Sequence, residues 1–410
     1  MKIEILNTGT ELLLGNTLNT HGSWFGRQLF AMGLRVARQV TVPDGEAIRE
    51  AFSEMVVRAD VLLITGGLGP TSDDLTREIV AETLGLELHQ DQQALSILEN
   101  FFALRGKPMV PANLRQAMVP TGADVLPNPN GTAPGLYLPP RINDRSNCAI
   151  FLLPGPPREL YPMFHNEVVP RLRALAGVSD VAGVSELKFT GIGESDFHHG
   201  IDAALAEIPG LEYGYCARIG EVDLRLIGSP DAIAAGRELA LESFGPHLIS
   251  DDGSSLEATV VRLLQEKSLT LATAESCTGG LIANRLTNVP GASAVFTHGW
   301  VTYANEAKAS QIGVPMEMIA AHGAVSEEVA RAMAEGALHE SGADFAISVT
   351  GIAGPTGGTE EKPVGTAWLA LAENGGSTVA LKVFHPRPRK DFKQAVSQSA
   401  LDLLRRRLTP

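Results

Sequence analysis

The sequence predicts an α/β protein of several domains, with a doubly wound N-terminal domain, a small α+β module and a second α/β domain. The first observation is length, because 410 residues exceed what one compact core usually holds. The second is that strand and helix patterns alternate up to about residue 170 and again after about residue 250. The third is that the stretch between them has strands with alternating apolar and polar residues. We therefore expect domains at 1–170, 171–250 and 251–410.

Composition narrows the class of protein. A net charge of −14 argues against a general nucleic-acid surface, which needs clustered basic residues. Three cysteines without C-x-x-C spacing offer neither a disulfide framework nor a zinc site. No apolar run reaches the length of a membrane span, and the chain opens on a strand, M-K-I-E-I-L, rather than on a signal peptide. We expect a cytoplasmic enzyme.

The first domain alternates strands with helices. The pattern predicts a strand at Lys2–Asn7, a helix at Asn19–Met32, a strand at Leu34–Val42 and a helix at Glu46–Arg58. The next strand is Val61–Thr65, a short run of branched apolar residues that is typical of a strand buried on both faces. Ligands bind beyond the carboxyl ends of the strands of a parallel sheet, so the segments T-G-T-E, P-D-G and G-G-L-G-P-T-S-D-D should converge.

The segment after Val61–Thr65 is the strongest local signal for a phosphate site. Its glycines allow a tight turn and a close approach to a ligand, and a helix with free N–H groups follows. Asp44 and Asp74 each follow a strand, where carboxylates suit a divalent cation that bridges phosphates. The alternatives are a turn aspartate at Asp44 and a simple strand-to-helix turn capped by Asp73. The three glycines are Gly66, Gly67 and Gly69.

The rest of the first half gives weaker signals. Glu11 could merely complement a helix dipole, and Asn130-Gly131-Thr132 could contact a sugar or base or be only a turn. Glu87–Val119 is predicted as a helix broken at two prolines, and Cys148–Leu153 as a strand. The middle module shows no chemistry. Its predicted strands are Val184–Thr190, Leu211–Ala217 and Glu221–Ile227, and its predicted helices are Ser195–Ile208 and Asp231–Phe244.

The last domain offers a serine nucleophile. The predicted strand Leu269–Thr273 leads into A-E-S-C-T-G-G, in which Ser276 precedes a helix expected from about Thr278. Backbone N–H groups there could stabilise an oxyanion, whereas the alternative is that Ser276 is only a helix cap. A serine nucleophile needs a base. The nearby histidines, His298 and His322, are candidates.

A lysine is the other candidate base. Lys308 lies in V-T-Y-A-N-E-A-K after the predicted strand Ala294–Val301, with Tyr303 at the start of its helix. A buried lysine loses part of its preference for the charged form and can accept a proton, although a solvated surface lysine is the usual alternative. A glycine-rich loop at Ser348–Gly365, which includes Thr350, suits a phosphate or amide site at a strand end.

These motifs resemble the competence/damage-inducible CinA family over nearly the whole chain. The first domain is similar to the molybdopterin-binding fold through T-G-T-E-L-L-L-G-N-T-L-N-T, T-G-G-L-G-P-T-S-D-D and N-G-T-A-P-G. The last is similar to nicotinamide-nucleotide amidase through A-E-S-C-T-G-G, V-T-Y-A-N-E-A-K, H-G-A-V-S and T-G-I-A-G-P-T-G-G-T-E-E-K-P-V-G-T. The middle module is similar to a KH-like domain that lacks the G-x-x-G loop used for RNA. His21 stands where asparagine is commoner, and Arg141–Asn147 lies outside the motifs.

The resemblance implies two hydrolytic activities. The C-terminal domain would deamidate nicotinamide mononucleotide without a metal, and the N-terminal domain would split ADP-ribose with a divalent metal (Mg, Mn or Co). In the amidase, Ser276 would be the nucleophile and Lys308 its base, assisted by Tyr303, Thr350 and Arg389, with Arg387 and Lys390 as neighbouring alternatives to the arginine. The implied substrate contacts are Thr278, Gly279, Gly280, Gly351 and Gly354 in the amidase, and Gly66, Gly67, Gly69, Glu11, Asn19, Asn130 and Thr132 in the N-terminal domain.

Metal and partners complete the expectations. Asp44 and Asp74 would be the metal ligands. The family suggests a homodimer that acts on small nucleotides, with no membrane and no direct nucleic-acid contact. A molybdopterin-handling protein and a non-catalytic partner in competence or DNA recombination stay open as alternatives.

Overall fold

The computed structural model describes residues 1–142, 147–176 and 183–409. The chain divides into two compact units, Met1–Ala182 and Gly183–Pro410. Part of the predicted insertion Arg141–Asn147, namely residues 143–146, lies outside the described residues. Among the helices that are described, none combines the length and the apolar character needed to cross a membrane.

Unit 1 forms one six-stranded sheet, a two-stranded ribbon and the helices around them. In chain order its elements are β1 (Ile3–Thr8), α1 (Thr10–Leu13), α2 (His21–Phe30), β2 (Val36–Val42), α3 (Glu46–Val56), β3 (Val61–Thr65), α4 (Thr76–Leu84), β4 (Leu88–Gln90), α5 (Gln92–Ala103), β5 (Met118–Pro120), β6 (Asp124–Leu126), β7 (Gly135–Leu138), β8 (Ala149–Leu153), α6 (Pro157–Met163) and α7 (Val169–Ala176).

The large sheet of unit 1 has the strand order β2-β1-β3-β8-β7-β6. Strands β2, β1, β3 and β8 pair in parallel, whereas β7 and β6 pair antiparallel at one edge, so the sheet is mixed rather than wholly parallel. Every residue of β3 is buried, because α3 packs its apolar residues on one face of the sheet and α2 packs on the other. The predicted doubly wound arrangement is therefore confirmed for the part that carries the glycine-rich loop.

The prediction of a broken helix at Glu87–Val119 is wrong at both ends. Strands β4 and β5 pair with each other as a short antiparallel ribbon, and only α5 and a 3₁₀ helix at Pro111–Ala117 lie between them. The side chain of Asp91 caps α5 by accepting a hydrogen bond from the amide of Ala94 at 2.9 Å. Strands of three residues are too short for a period of two to be visible in the sequence.

Unit 2 contains two sheets. In chain order its elements are β9 (Gly183–Thr190), α8 (Glu194–Ala206), β10 (Glu212–Arg218), β11 (Glu221–Gly228), α9 (Pro230–Phe244), β12 (Leu248–Ser250), α10 (Leu256–Lys267), β13 (Leu271–Glu275), α11 (Leu281–Thr287), β14 (Phe296–Val301), α12 (Asn305–Ile312), α13 (Met316–His322), α14 (Glu327–Ser341), β15 (Phe345–Gly351), β16 (Thr366–Glu373), β17 (Val379–Phe384) and α15 (Arg389–Leu408).

The first of these sheets is antiparallel with the order β10-β11-β9-β12, and α8 and α9 pack on it around Phe189 and Phe197. The second has the order β14-β13-β15-β16-β17, in which β14, β13 and β15 are parallel and β16 and β17 antiparallel. Helices α10 and α15 cover one face of this sheet and α14 the other. The edge strand β17 and the short strand β12 were not predicted.

One correction bears directly on the chemistry. The helix after β13 begins at Leu281 rather than at Thr278, so Ser276 lies in a loop ahead of it. Gly279 and Gly280 adopt positive φ angles of 64° and 89° in that loop, a conformation that favours glycine.

Candidate active sites

Ser276 and Lys308 form a buried contact in unit 2. Lys308 Nζ lies 3.2 Å from Ser276 Oγ, and only 1% of the Lys308 surface is exposed. Strand β13 ends one residue before Ser276, whereas Lys308 comes from α12, where neighbouring elements cover it. The alternative of a solvated surface lysine is thereby wrong for this chain.

The surroundings of Lys308 favour a neutral amine. Its Nζ donates to the carbonyl oxygen of Thr302 at 2.9 Å and lies 3.5 Å from that of Tyr303. Burial lowers the pKa of Lys308 because a charged ammonium loses hydration there. A neutral amine has two N–H groups and one lone pair. If the two carbonyls take the N–H groups, the lone pair is left to accept the hydroxyl proton of Ser276.

The two histidine candidates lie elsewhere. His298 is exposed on β14, where its ring stacks on Trp300 with centroids 5.4 Å apart. His322 is 45% exposed and its Nδ1 lies 3.3 Å from a carboxylate oxygen of Glu328. Within the described residues neither histidine contacts Ser276, so Lys308 is the basic group that the fold brings to the serine.

Glu275 is a buried residue of this site that sequence reasoning missed. Its Oε1 accepts from the amide of Ala283 at 2.8 Å and its Oε2 from that of Ile282 at 3.1 Å. The carboxylate therefore caps the first turn of α11 and complements the helix dipole. Those two amides are therefore not available to an anionic ligand. The signal was a carboxylate at the end of an otherwise apolar strand, because a buried charge needs partners.

Backbone donors close to Ser276 remain available. Among the described residues, the amides of Cys277 and Thr278 donate to no other residue, and the amide of Cys277 lies against its own thiol. Thr278 is fully buried and its hydroxyl has no hydrogen-bond partner there, so its side chain faces protein rather than the solvent-accessible surface. Two amides that no other residue uses, directly after a serine, are the kind of donors that an oxyanion site needs.

Tyr303, Arg389 and Gly354 meet beside the pair. Arg389 donates from Nη1 to the carbonyl oxygen of Gly354 at 2.9 Å, and its Nη2 makes a very short contact with the Tyr303 hydroxyl. Tyr303 is 58% exposed. Of the three basic neighbours, Arg389 is thus the one joined to Tyr303, whereas Arg387 lines a separate cavity.

Thr350 and Gly351 form the wall of the site rather than its reacting face. The hydroxyl of Thr350 donates to the carbonyl oxygen of Ala324 at 2.7 Å, and only 1% of the residue is exposed. A Cβ at Gly351 would lie 2.8 Å from that of Ala367, so β15 and β16 approach closely there. This side of the site is rigidly packed.

Lys393, on the second turn of α15, is a further cation that the sequence did not indicate. A Cβ built on Gly279 would lie 3.5 Å from Lys393 Nζ. Burial raises the pKa of the Cys277 thiol to about 12, and the charges of Lys308 and Lys393 oppose that shift. Lys393 is half-buried, and within the described chain it has neither an ion pair nor a side-chain hydrogen bond. An unpaired cation beside the nucleophile loop is a ready contact for an anionic group.

A cavity of about 510 Å³ lies at the carboxyl ends of β1, β2, β3 and β8 in unit 1. The predicted convergence of T-G-T-E, P-D-G and the glycine-rich loop is confirmed there. The cavity is lined by Glu11, Asn19 and Thr132 together with the three loop glycines. Asn130 is not among its lining residues, and its side-chain amide donates instead to the carbonyl oxygen of Arg158 at 3.2 Å. His21 also lines the cavity, with Nδ1 3.3 Å from Thr65 Oγ1, and burial lowers its pKa.

The glycine-rich loop leaves no room for side chains. A Cβ at Gly66 would lie 2.4 Å from the carbonyl oxygen of Thr8, one at Gly67 2.0 Å from Thr76 Oγ1, and one at Gly69 2.4 Å from an oxygen of Asp74. The amide of Gly66 is used by the carbonyl oxygen of Leu153, so the free donors of this loop begin at Gly67. The backbone therefore lies directly against the cavity, as a phosphate site requires.

Asp44 and Asp74 both line this cavity. Oδ2 of Asp44 accepts from the amide and the hydroxyl of Thr10 at 3.0 Å each. Oδ2 of Asp74 accepts from the amide of Thr71 at 2.9 Å and makes a very short contact with its hydroxyl. Asp44 thus joins its turn to the start of α1, whereas Asp74 orders its own loop, and each uses one carboxylate oxygen and has a second for another partner.

The charge of the cavity bears on what can enter it. Among the described residues its lining contains the carboxylates Glu11, Asp44, Asp73, Asp74 and Glu159 and neither lysine nor arginine. Within the described chain, no group of three or more His, Cys, Asp or Glu side chains could hold a metal ion. Two carboxylates on one cavity nevertheless fit Mg²⁺, which typically takes one or two protein carboxylates and completes its shell with water and substrate phosphate. An anionic diphosphate could enter this acidic cavity only together with cations.

Comparisons with known proteins agree with this two-part organisation. The family model described as CinA C-terminal domain matches residues 253–408, and that described as probable molybdopterin binding domain matches residues 4–174. A CinA-like protein of Akkermansia muciniphila is 50% identical over 401 residues, which are 98% of this chain and 96% of the relative. A CinA-like protein of Geobacter metallireducens is 42% identical over 421 residues, covering 100% of this chain and 99% of the relative.

A solved structure is also similar to part of the chain. The competence/damage inducible protein CihA from Agrobacterium tumefaciens is 42% identical and covers 37% of this chain and 94% of its own, with a TM-score of 0.35.

Proposed function

Since the chain belongs to the CinA family and carries a molybdopterin-binding-like domain ahead of its CinA C-terminal domain, we propose that it is a bifunctional hydrolase of pyridine nucleotides. The C-terminal site deamidates nicotinamide mononucleotide to nicotinate mononucleotide and ammonia. The N-terminal site splits ADP-ribose into AMP and ribose 5-phosphate. The observation that carries the amidase is the 3.2 Å contact between buried Lys308 and Ser276.

The amidase reaction begins with proton transfer from Ser276 to Lys308. The neutral amine takes the hydroxyl proton while Oγ attacks the carboxamide carbon of the substrate, and the carbonyl oxygen becomes an oxyanion. The amides of Cys277 and Thr278 are the donors proposed for that oxyanion. The C–N bond then breaks as Lys308 returns the proton to the leaving nitrogen, which departs as ammonia and leaves an acyl ester on Ser276.

Water completes the cycle by the same route. Lys308, neutral again, takes a proton from a water molecule whose oxygen attacks the ester carbon. The ester bond breaks and Ser276 Oγ regains its proton from Lys308, so that the pyridine carboxylic acid leaves, loses its proton to solvent, and the enzyme returns to its starting state. Arg389 and Tyr303 are proposed to orient the substrate, and Lys393 to contact its phosphate. The buried position of Lys308 keeps it neutral at a pH where free lysine is charged.

The N-terminal proposal rests on the donor set of its cavity. Asp44 and Asp74 would hold a divalent cation, for which Mg, Mn and Co are the candidates, and when bound it would supply positive charge for the diphosphate while water attacks the phosphorus. The amides of Gly67 and Gly69 would bind a phosphate oxygen. Glu11, Asn19 and Thr132 are placed along the same cavity to contact the sugar.

The test is to assay one preparation for both activities. Wild-type protein should release ammonia from nicotinamide mononucleotide and AMP from ADP-ribose. In Ser276→Ala, ammonia release should fall by roughly 10⁴-fold or more, because the nucleophile is gone. Cleavage of ADP-ribose should stay at the wild-type rate and serves as the control for folding. Ammonia release by the variant at the wild-type rate would refute the Ser–Lys mechanism.

Two other functions have support of a different kind. The match to a probable molybdopterin binding domain favours a pterin ligand in the N-terminal cavity, and the acidic lining would then have to accept the pterin phosphate. Relatives are named competence-damage inducible proteins, which suggests a role in DNA uptake. Titration of the protein with a pterin and with ADP-ribose distinguishes a pterin ligand from the proposed substrate. A DNA-binding assay at several salt concentrations tests the role in DNA uptake.

The assembly and location of the enzyme are part of the proposal. We expect a cytoplasmic homodimer. Light scattering during size-exclusion chromatography should give about twice the mass of one chain, 43.4 kDa.

A further inference from the structure

A second cavity, of about 350 Å³, lies within unit 2 and apart from the Ser276 site. One wall comes from the end of β9 and from the turn between β10 and β11, and the other from β17, the segment 385–388 and α15. Neither Ser276 nor Lys308 is among its lining residues. Its volume lies within the range of small-molecule pockets.

The cavity has fixed walls rather than being a loose gap between two sheets. Gln398, which is 2% exposed, donates to Glu221 Oε1 at 2.9 Å and accepts from Arg285 at 2.7 Å. Gly220 has a positive φ of 77°, and a Cβ there would lie 2.8 Å from Gln398 Cγ. A buried amide with both ends bonded, against a glycine that admits no side chain, keeps the back of the cavity in one arrangement.

The charge of this cavity is opposite to that of the chain as a whole. Arg387 and Arg406 line it, and Asp402 is the carboxylate of its lining. Both oxygens of Asp402 are occupied, since Arg405 donates to Oδ1 at 2.8 Å and Arg406 to Oδ2 at 2.7 Å. Arg387 is exposed, and within the described part of the chain its guanidinium has no hydrogen bond or ion pair. A chain of net charge −14 thus has an unpaired cation at the mouth of a cavity.

The remaining lining combines an apolar surface with polar groups. Leu381 and Val383 project from β17 and Leu403 from α15. His385 and Ser399 form the polar edge, with Nε2 and Oγ 3.1 Å apart. An apolar floor beside fixed polar groups and cations matches a ligand that has a ring and one anionic group.

We propose that this cavity binds a small organic anion, namely a ring that bears one carboxylate or one phosphate. The ring packs against Leu381 and Val383, and the anionic group bonds to the guanidinium of Arg387. Carboxylates and phosphates both match a guanidinium, so the ligand class is defined by the ring and one such group.

The cavity is linked to the amidase site through a short rigid segment. Residues 385–388, which include Pro386 and Pro388, join β17 to α15, and Arg389 is the first residue of that helix. Arg389 in turn bonds to Tyr303 and to the carbonyl oxygen of Gly354. A ligand held by Arg387 therefore acts on the segment that positions Arg389. This link rests on the proposed amidase function, whereas the binding itself does not.

The experiment is methyl NMR of the full chain, with nicotinate, phenyl phosphate and inorganic phosphate as probes. We expect the methyl signals of Leu381, Val383 and Leu403 to shift with at least one ring anion, and to shift less with inorganic phosphate. Comparison of the two ring anions identifies the preferred anionic group. The methyls of Val301, one of which would lie 3.4 Å from a Cβ at Gly280, report the amidase site separately.

Two substitutions make the titration decisive. Arg387→Gln should weaken binding of the ring anion by roughly tenfold or more, the effect of one lost charge-assisted hydrogen bond. Lys382→Gln is the matched control, because it removes the same charge from β17 but Lys382 does not line the cavity. It should change the affinity by less than about twofold.

Four results would overturn the proposal. The first is that no methyl signal shifts with any probe up to about 10 mM, and the second is that only the Val301 signals shift. The third is an unchanged affinity of Arg387→Gln for the ring anion. The fourth is that the cavity methyl signals shift with protein concentration alone, which would make the cavity a contact between two copies. Ammonia release should also change when the ring anion saturates the wild type and stay constant in Arg387→Gln. Binding without any change in rate would overturn the link to Arg389 and leave the binding site in place.

Discussion

The two candidate active sites occupy equivalent places in two sheets, yet their surroundings differ. Each lies where an inner parallel strand ends, β3 in unit 1 and β13 in unit 2. In the part of the chain that the structure describes, carboxylates line the N-terminal cavity and no lysine or arginine does, whereas Ser276 and Lys308 are buried and bonded to each other. The same strand-end geometry thus carries one site for which we propose that the protein supplies every reacting group, and one for which we propose that cations balance the charge of the ligand.

The comparison is tested most severely by Lys308→Met. The apolar side chain keeps a similar length but offers no proton acceptor, so ammonia release should fall by roughly 10³-fold or more. Cleavage of ADP-ribose, which uses the other unit, should stay at the wild-type rate in the same preparation. Ammonia assays on both proteins measure the effect. An active Lys308→Met protein would mean that a different base serves Ser276.

Metal removal should have the opposite effect to Lys308→Met, with loss of ADP-ribose cleavage and no loss of ammonia release. A chelator should abolish ADP-ribose cleavage and leave ammonia release unchanged, because only the carboxylate-lined cavity is proposed to hold a divalent cation. Asp74→Asn should lower ADP-ribose cleavage by at least about 100-fold. Loss of a residue that only supports a metal ligand costs up to about 100-fold, and loss of a proposed direct ligand should cost at least as much. Asp60→Asn, outside the cavity lining, is the matched control and should cleave ADP-ribose normally. Cleavage that resists the chelator would contradict the metal proposal.

Lys393→Met tests how the C-terminal site binds an anionic group when Glu275 occupies two amides at the N-terminus of α11. If Lys393 contacts the phosphate, kcat/KM for nicotinamide mononucleotide should fall by about 10- to 100-fold. The rate with nicotinamide riboside, which has no phosphate, should be nearly unchanged. Lys390→Met, one turn earlier on an exposed position of α15, is the comparison variant. Equal losses with both substrates would assign Lys393 a structural role.

The smallest expected effect is a pH dependence of stability. Burial lowers the pKa of Lys308 below the ordinary 10.5 of lysine. Between the lowered folded-state pKa and 10.5, the unfolded chain binds more protons than the folded protein, so the free energy of unfolding rises with pH. The slope should approach 1.4 kcal/mol per pH unit at most, that is, about one proton.

Urea unfolding of the wild type and of Lys308→Met, measured over this pH range, isolates that contribution as the difference between the two proteins. The amidase rate should rise as the pH rises towards the lowered pKa of Lys308, because the neutral amine is the proposed base. A difference between the two proteins that does not change with pH would place the titration elsewhere.

Much of this architecture could be predicted from local signals in the sequence. Strands β3 and β13 are apolar runs that end at glycine-rich loops, and such runs are visible without knowledge of the rest of the chain. Family membership was likewise predicted from motifs and is confirmed by relatives that match almost the full chain. The edge strand β17 was missed because V-A-L-K-V-F does not alternate apolar and polar residues as a half-buried strand does, and four of its six residues are exposed.

The site residues were harder to predict because their contacts are tertiary. Ser276 and Lys308 are 32 positions apart, and the spacing alone favoured a surface lysine until the resemblance to the amidases was considered. Glu275 caps a helix seven and eight positions later, across a loop in which neither the helical nor the strand period applies. Lys393 approaches Gly279 from the last helix of the chain. Such contacts follow from how elements pack, which single-sequence patterns do not record.

The crowded loop between β3 and α4 has a consequence for how tolerance to substitution is interpreted. At Gly66, Gly67 and Gly69 an added methyl group would collide with backbone or with a neighbouring side chain whatever the protein is selected for. In a saturation library these positions should therefore be depleted equally under selection for abundance and under selection for turnover. Asp44, which is only partly buried and lines the cavity, should be depleted more strongly under the second selection than under the first, where only its bonds to Thr10 are lost. The contrast between the two depletion maps, rather than either map by itself, identifies the residues that perform chemistry.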